Sequence, residues 1–197
     1  TPCGTLFPYT TLFRSGSSWP PDEVILAEFI QQNPDSDWKF IIAPHDISEK
    51  HIQQIEQLFK GWPITRYTKT ETVLAKASIL IVDTIGMLSA LYQYGKVAYI
   101  GGGFGAGIHN TLEPIAFGLP VLFGPKFEKF EEAVQLVEGG GAFVVEDAVH
   151  FEKHLQELEQ AARYEQAAAV AKNYVAENQG ATEKIIAFIQ RELRVKD

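Results

Sequence analysis

From Gly16 onward, stretches with apolar residues three and four apart alternate with short runs rich in Ile and Val. That alternation predicts an α/β domain built on a Rossmann-like parallel sheet flanked by helices. Pro20 and Pro21 stand ahead of a helical pattern over Asp22 to Gln32, in which Val24, Ile25, Leu26, Phe29 and Ile30 form an apolar stripe. Trp38 to Ala43 reads as a strand. Asp46 and Glu49 have the spacing of a capping box before a helix bearing Ile52, Ile55, Leu58 and Phe59, and Gly61 and Pro63 end that helix. Ile79 to Val82, Val97 to Ile100, Val121 to Phe123 and Phe143 to Val145 are further strands, each a short apolar run with turn signals nearby, and helices fall between them. After Asp147 the chain reads as helical throughout. A sheet of this kind binds ligands beyond the carboxyl ends of its strands, so the loops after Ala43, Val82, Ile100 and Phe123 are the places to search.

Composition narrows the classes. At 197 residues and 46% hydrophobic content, the chain suits one well-buried domain. A formal charge of -8 argues against a nucleic-acid binder, which needs clustered Lys and Arg to displace counterions from phosphates. The single cysteine, Cys3, excludes an intrachain disulfide framework and a cysteine-rich zinc site, and a reducing, cytoplasmic setting follows as the simpler expectation. No apolar run approaches the roughly 18 to 20 residues that span a bilayer. The opening TPCGTLFPYTTLFRS has neither a basic start nor a continuous apolar stretch. Its composition resembles translated adapter sequence more than a domain edge. Residues 1–15 are therefore expected to be a non-native or unrelated leader, with the domain over 16–197.

The most informative stretch is VAYIGGGFGAGIHNTLEPIAFGLPVLFGP, Val97 to Pro125, in which an apolar strand runs into a glycine loop and then a helix expected to begin near Asn110. Glycines let backbone approach a ligand, and a helix N-terminus favours an anion, so Gly102, Gly103, Gly105 and Gly107 are read as a phosphate loop. The spacing is not G-x-G-x-x-G and the loop follows a late strand, which argues against NAD. Asn110 and Glu113 stand three apart, as in a capping box, yet a carboxylate at that mouth is also suited to a ribose diol. His45 and His109, each just past a strand, can cap, lie at the surface or meet a ligand's phosphate or base. Asp83 and Thr84 either contact a ligand or cap a turn. Lys126 and Lys129 read first as solvated surface cations, with attraction of an anionic donor as the alternative. His150 and His154, four apart, have the spacing of a metal pair, but no further ligands accompany them and an exposed helix face is favoured.

Four segments in order carry a resemblance to a family: GSSWPPDE (Gly16 to Glu23), APHD (Ala43 to Asp46), VDTIGMLSALYQYG (Val82 to Gly95) and GGGFGAGIHNTLEPIAFGLPVLFGP (Gly101 to Pro125). They resemble the C-terminal half of the 3-deoxy-D-manno-octulosonic acid (Kdo) transferases, GT-B glycosyltransferases that use CMP-Kdo and act on lipid A precursors in lipopolysaccharide biosynthesis at the cytoplasmic side of the bacterial inner membrane. The resemblance implies that Pro44 and His45, the backbone around Ile85, Gly86 and Met87, and Asn110, Thr111, Leu112 and Glu113 surround the cytidine monophosphate. It implies inverting, metal-independent transfer with no cofactor beyond the donor, and a catalytic base in an N-terminal domain outside these residues. The acceptor and any membrane contact would likewise belong to that other half. Two positions depart from the family pattern. His45 stands where many members have arginine, which removes a forked donor for phosphate, and Met87 stands where many have glutamate. A UDP-sugar-dependent GT-B transferase or epimerase half, and a non-catalytic nucleotide-binding module, are the alternative readings.

Overall fold

The computed structural model describes residues 12–69 and 77–194; Cys3 and the greater part of the expected leader lie outside the described residues. Among the described residues seven parallel strands form one sheet in the order β3-β4-β2-β1-β5-β6-β7. They are β1 (Leu12–Ser18), β2 (Lys39–Pro44), β3 (Ile64–Arg66), β4 (Ile79–Ile81), β5 (Val97–Ile100), β6 (Val121–Phe123) and β7 (Ala142–Val144). Among the described residues eight α-helices connect or follow them: α1 (Pro20–Gln32), α2 (Glu49–Leu58), α3 (Leu88–Tyr92), α4 (Leu112–Ala116), α5 (Glu131–Gly139), α6 (Ala148–Glu159), α7 (Ala161–Glu177) and α8 (Ala181–Arg194).

Both faces of the sheet are covered, and the two-residue period of each strand divides its side chains between them. Val97 and Tyr99 of β5, with Leu122 of β6, join a cluster with α1 and α6, whereas Ala98, Ile100, Val121 and Phe123 join one with α4, α5 and α7. The first cluster is rich in aromatic rings. Phe151 meets Phe13 at 5.1 Å and Phe29 at 5.0 Å between ring centres, both nearly edge to face, the geometry that ring quadrupoles favour.

The expected leader is corrected here. Leu12 to Ser15 belong to β1, the central strand, which pairs with β2 on one side and β5 on the other. Phe13 is fully buried, and Arg14 is 1% exposed with its guanidinium over the Tyr94 ring at 5.7 Å. A buried parallel strand normally reads as an apolar run; LFRSGSS does not, because Arg14, Ser15 and Gly16 interrupt it. Its place comes from its neighbours, two strongly apolar strands whose inner edges need a hydrogen-bonding partner between them. Strand β3 escaped the pattern for a different reason, being three residues long at the sheet's edge.

The expected cap of α2 is also corrected. Ser48 is the N-cap, accepting from the His51 amide at 3.4 Å, while Asp46 receives the Ser48 amide at 2.8 Å. Glu49 instead turns to Arg66, whose guanidinium reaches Glu49 at 2.7 Å and Glu56 at 2.6 Å and so ties α2 to β3. The hydrogen bonds from Arg66 hold the Glu49 carboxyl down at about 2.

The strand order places a switch point between β1 and β5. The chain leaves β1 toward β2 on one side and returns from β4 to β5 on the other, so the loops after β1 and β5 diverge and open a crevice at the carboxyl edge. Removing the Phe13 ring should cost about 3–5 kcal/mol, because a large buried aromatic leaves both lost burial and a cavity. Urea denaturation of Phe13→Ala checks this, and a neutral effect would place β1 outside the cooperative domain.

Candidate functional site

The crevice holds two adjoining cavities. One, of about 160 Å³, is lined by Pro44, His45, Ile85 and Gly86 together with Ala43, Val82 and Thr84. The other, of about 120 Å³, is lined by His109, Asn110 and Glu113 together with Tyr92 and Ile100. Ser17 and Leu88 line both. Residues from four loops, far apart in sequence, thus meet around one opening.

A buried carboxylate holds this edge together. Asp22, in the first turn of α1, is 1% exposed and accepts three hydrogen bonds: from the Trp19 amide at 2.8 Å, the Gly102 amide at 3.1 Å and the Tyr99 hydroxyl at 2.9 Å. It therefore joins the end of β1 to the end of β5. Burial raises the Asp22 pKa, and the bonds from Trp19, Gly102 and Tyr99 oppose that rise. Tyr99 is raised as well, first by burial and then by the Asp22 charge. The neighbouring Glu23, 3% exposed, accepts from the Ser18 hydroxyl at 3.0 Å and meets His51 Nε2 at 2.9 Å. Burial raises its pKa too, against the pull of the His51 and Ser18 hydrogen bonds. Ser18 in turn receives the backbone amide of His45 on its carbonyl at 2.9 Å, so the Glu23 network fixes where the β2 loop begins.

The glycine loop bonds several of its amides within the protein. The Gly102 amide goes to Asp22, and the Gly105 and Gly107 amides turn inward to the Gly102 carbonyl at 2.8 and 3.3 Å. Those three amides are committed inside the protein, and none of the four glycines lines either cavity. Their reason is close backbone packing. Gly102 has φ +94°, and a Cβ on Gly103 would lie 2.6 Å from Gly124 Cα in the loop after β6. Lys126 closes the loop from outside, its ammonium donating to the carbonyls of Phe104 and Gly105 at 3.3 and 2.9 Å.

The segment after the loop also departs from the capping box. Helix α4 has five residues and Thr111 as its N-cap. Asn110 Oδ1 accepts from the Leu112 amide at 3.0 Å, and its Nδ2 donates to Glu113 at 3.2 Å, so the two side chains are coupled to each other at the cavity wall. Thr111 is fully buried with its hydroxyl toward Glu132 at 3.4 Å, and Leu112 is solvent-exposed; neither lines the cavities. Met87 is half-buried against the Ile41 and Leu80 cluster, outside both cavity walls.

Three further candidates resolve into structural roles. Asp83 takes the Thr68 amide and hydroxyl and anchors the 3₁₀ turn at Tyr67–Lys69. His150 pairs with Asp147 at 2.9 Å, whereas His154 turns to the Val144 carbonyl at 3.1 Å and packs on Phe143, so they do not converge. His154 is thus half-buried, not on an exposed face. Among the described residues no group of three or more His, Cys, Asp or Glu side chains is placed to hold a metal ion. No described helix is long and apolar enough to cross a membrane.

Sequence reasoning missed Asp22, Tyr99 and Trp19. Trp19, exposed at the β1–α1 junction, stacks on His45 with ring centres 4.5 Å apart, and its indole N–H donates to His109 Nε2 at 3.0 Å. The signal for Asp22 was its place three residues after Trp19 in a helix start, but nothing local shows that its second partner lies 80 residues away.

The parallel sheet and its carboxyl-edge crevice have the Rossmann-like fold of the C-terminal half of GT-B glycosyltransferases, as comparison with solved structures shows. The C-terminal CMP-Kdo binding domain of WaaA from Acinetobacter baumannii superposes with a TM-score of 0.76 at 22% identity, covering 86% of this chain and 91% of that one. By sequence the chain is 32% identical over 139 residues to the 3-deoxy-D-manno-octulosonic acid transferase of Aquifex aeolicus, a match covering 69% of this chain and 38% of that protein. The Kdo transferase of Chlamydia muridarum is 32% identical over 124 residues, 61% of this chain and 28% of its own length. No family model matches the chain. By sequence the chain matches the Kdo transferases and by fold the C-terminal domain of one of them, and it spans well under half the length of the relatives it matches by sequence.

The raised pKa of Asp22 sets the sign of a pH effect. A carboxyl that binds its proton more tightly when folded stabilises the fold below its unfolded value and loses that contribution as pH rises through the folded one. The stability of the wild type relative to Asp22→Asn should therefore fall as pH rises from 3.8 upward. Urea denaturation of both proteins at pH 4 and pH 7 measures it.

Proposed function

We propose that the two adjoining cavities hold the cytidine monophosphate part of CMP-Kdo, making this chain the donor half of an enzyme that transfers Kdo to a lipid A precursor in lipopolysaccharide biosynthesis. The observation that carries the reading is the convergence of Pro44, His45, Ile85 and Gly86 with His109, Asn110 and Glu113 around one opening at the switch point. Glu113 offers carboxylate oxygens to a ribose diol, and Asn110, bonded to it at 3.2 Å, fixes its orientation. The phosphate faces the imidazoles of His45 and His109 in place of the inward-turned glycine amides.

In this reading the domain supplies binding and steadies the departing phosphate, an electrostatic contribution that grows once a second domain closes over the crevice and excludes water. The acceptor hydroxyl attacks the anomeric carbon of Kdo, its proton goes to a carboxylate of the other domain, and the bond to CMP breaks with inversion. The donor is itself the activated substrate, so no cofactor is invoked. Contact with the inner membrane and with the lipid acceptor belongs to the rest of the parent enzyme.

Calorimetric titration with CMP, UMP and NAD tests the reading. CMP should bind in preference to the other two, and Asn110→Ala or Glu113→Ala should weaken it about tenfold, equivalent to roughly 1.4 kcal/mol. Preference for UMP would move the domain to the UDP-sugar enzymes, and binding of NAD alone would remove it from the transferases. The domain by itself should show no transfer of Kdo.

A further inference from the structure

Three rings from three separate loops meet at the mouth of the crevice. Trp19 closes β1, His45 follows β2, and His109 follows the glycine loop after β5. His45 stacks on Trp19 at 4.5 Å and 22° and on His109 at 4.8 Å and 20°. Trp19 and His109 meet edge to edge through the 3.0 Å hydrogen bond between Nε1 and Nε2. His45 therefore lies across both.

An indole nitrogen has a proton to give and no lone pair to accept with, so the direction of this bond is fixed by chemistry. His109 Nε2 is the acceptor, and the neutral ring must carry its proton on Nδ1. We propose that Trp19 is a positioning residue for the donor site: its N–H holds His109 as the neutral Nδ1–H tautomer, which keeps one imidazole uncharged beneath His45 and leaves Nδ1–H as the ring's donor. This rests on the reading of the crevice as the donor site, and adds to it which atom of His109 can donate.

Protonating His109 would place N–H against N–H at the Trp19 contact, so the indole opposes the imidazolium. The surroundings of His109 agree in sign. Burial lowers its pKa first and the neighbouring His45 lowers it further, while Asp22 of α1 raises it. Glu113 of α4 shares a cavity wall with it, and Asp46 lies beyond His45 on the β2 side. Gly102 leaves room for the ring, since a Cβ there would stand 3.2 Å from His109 Cδ2.

The test is the nitrogen and carbon NMR signature of the His109 ring in the 197-residue protein, followed through pH 5 to 8 without ligand, for wild type and Trp19→Phe. The phenyl ring keeps an aromatic stacking surface for His45, smaller than the indole, and removes the donor. Wild type should show the Nδ1–H tautomer. Trp19→Phe should show a mixture of tautomers and a His109 pKa higher by about one pH unit, the size expected for loss of one hydrogen bond to the neutral form. An Nε2–H tautomer in wild type, or an unchanged tautomer and titration in Trp19→Phe, overturns the proposal; the wild-type spectrum decides even if the variant does not fold. CMP is then added to wild type. Failure to bind CMP with the tautomer as expected would fail the donor-site reading and leave the role of Trp19 standing.

Discussion

The Asp22 carboxylate is the point on which the carboxyl edge of this sheet depends. One buried group receives an amide from the end of β1, an amide from the loop after β5 and a hydroxyl from within β5. A buried charge without partners would be strongly unfavourable, so the site is stable only when all three donors are in place. That requirement fixes the two diverging loops of the switch point relative to each other. The crevice between them is consequently a set feature of the fold, and Glu23, with Ser18 and His51, extends the same control to the loop after β2.

This arrangement gives the glycine loop a packing role at the carboxyl edge. The Gly102, Gly105 and Gly107 amides face inward to Asp22 and to the Gly102 carbonyl, and the loop's small residues let the β5 and β6 loops touch backbone to backbone. The side chains that line the crevice include the imidazoles of His45 and His109 and the coupled pair Asn110 and Glu113.

Much of the fold was legible because both sheet faces are buried. Such strands appear as short apolar runs, which is why Val97–Ile100 and Val121–Phe123 were read to the residue. Leu12–Ser18 was not, since Arg14 and Ser15 hide a strand whose position is set by β2 and β5. At the site, Pro44, His45, Ile85, Gly86, Asn110 and Glu113 were found by motif and do line the crevice. Thr111, Leu112 and Met87, named with the same motifs and the last for its backbone, do not line the two cavities, because adjacent side chains in a tight loop cannot all face one opening.

The sequence by itself determined the α/β class, the family resemblance and the loops that border the crevice, since these follow from periodicity and from short motifs read in order. Only the tertiary structure decided which side chains converge. Asp22 finds Gly102 across 80 residues and Trp19 finds His109 across 90, and such contacts depend on strand order and not on local spacing. A residue's neighbours in a parallel sheet are set by where the crossovers return, and that is a property of the whole packed chain.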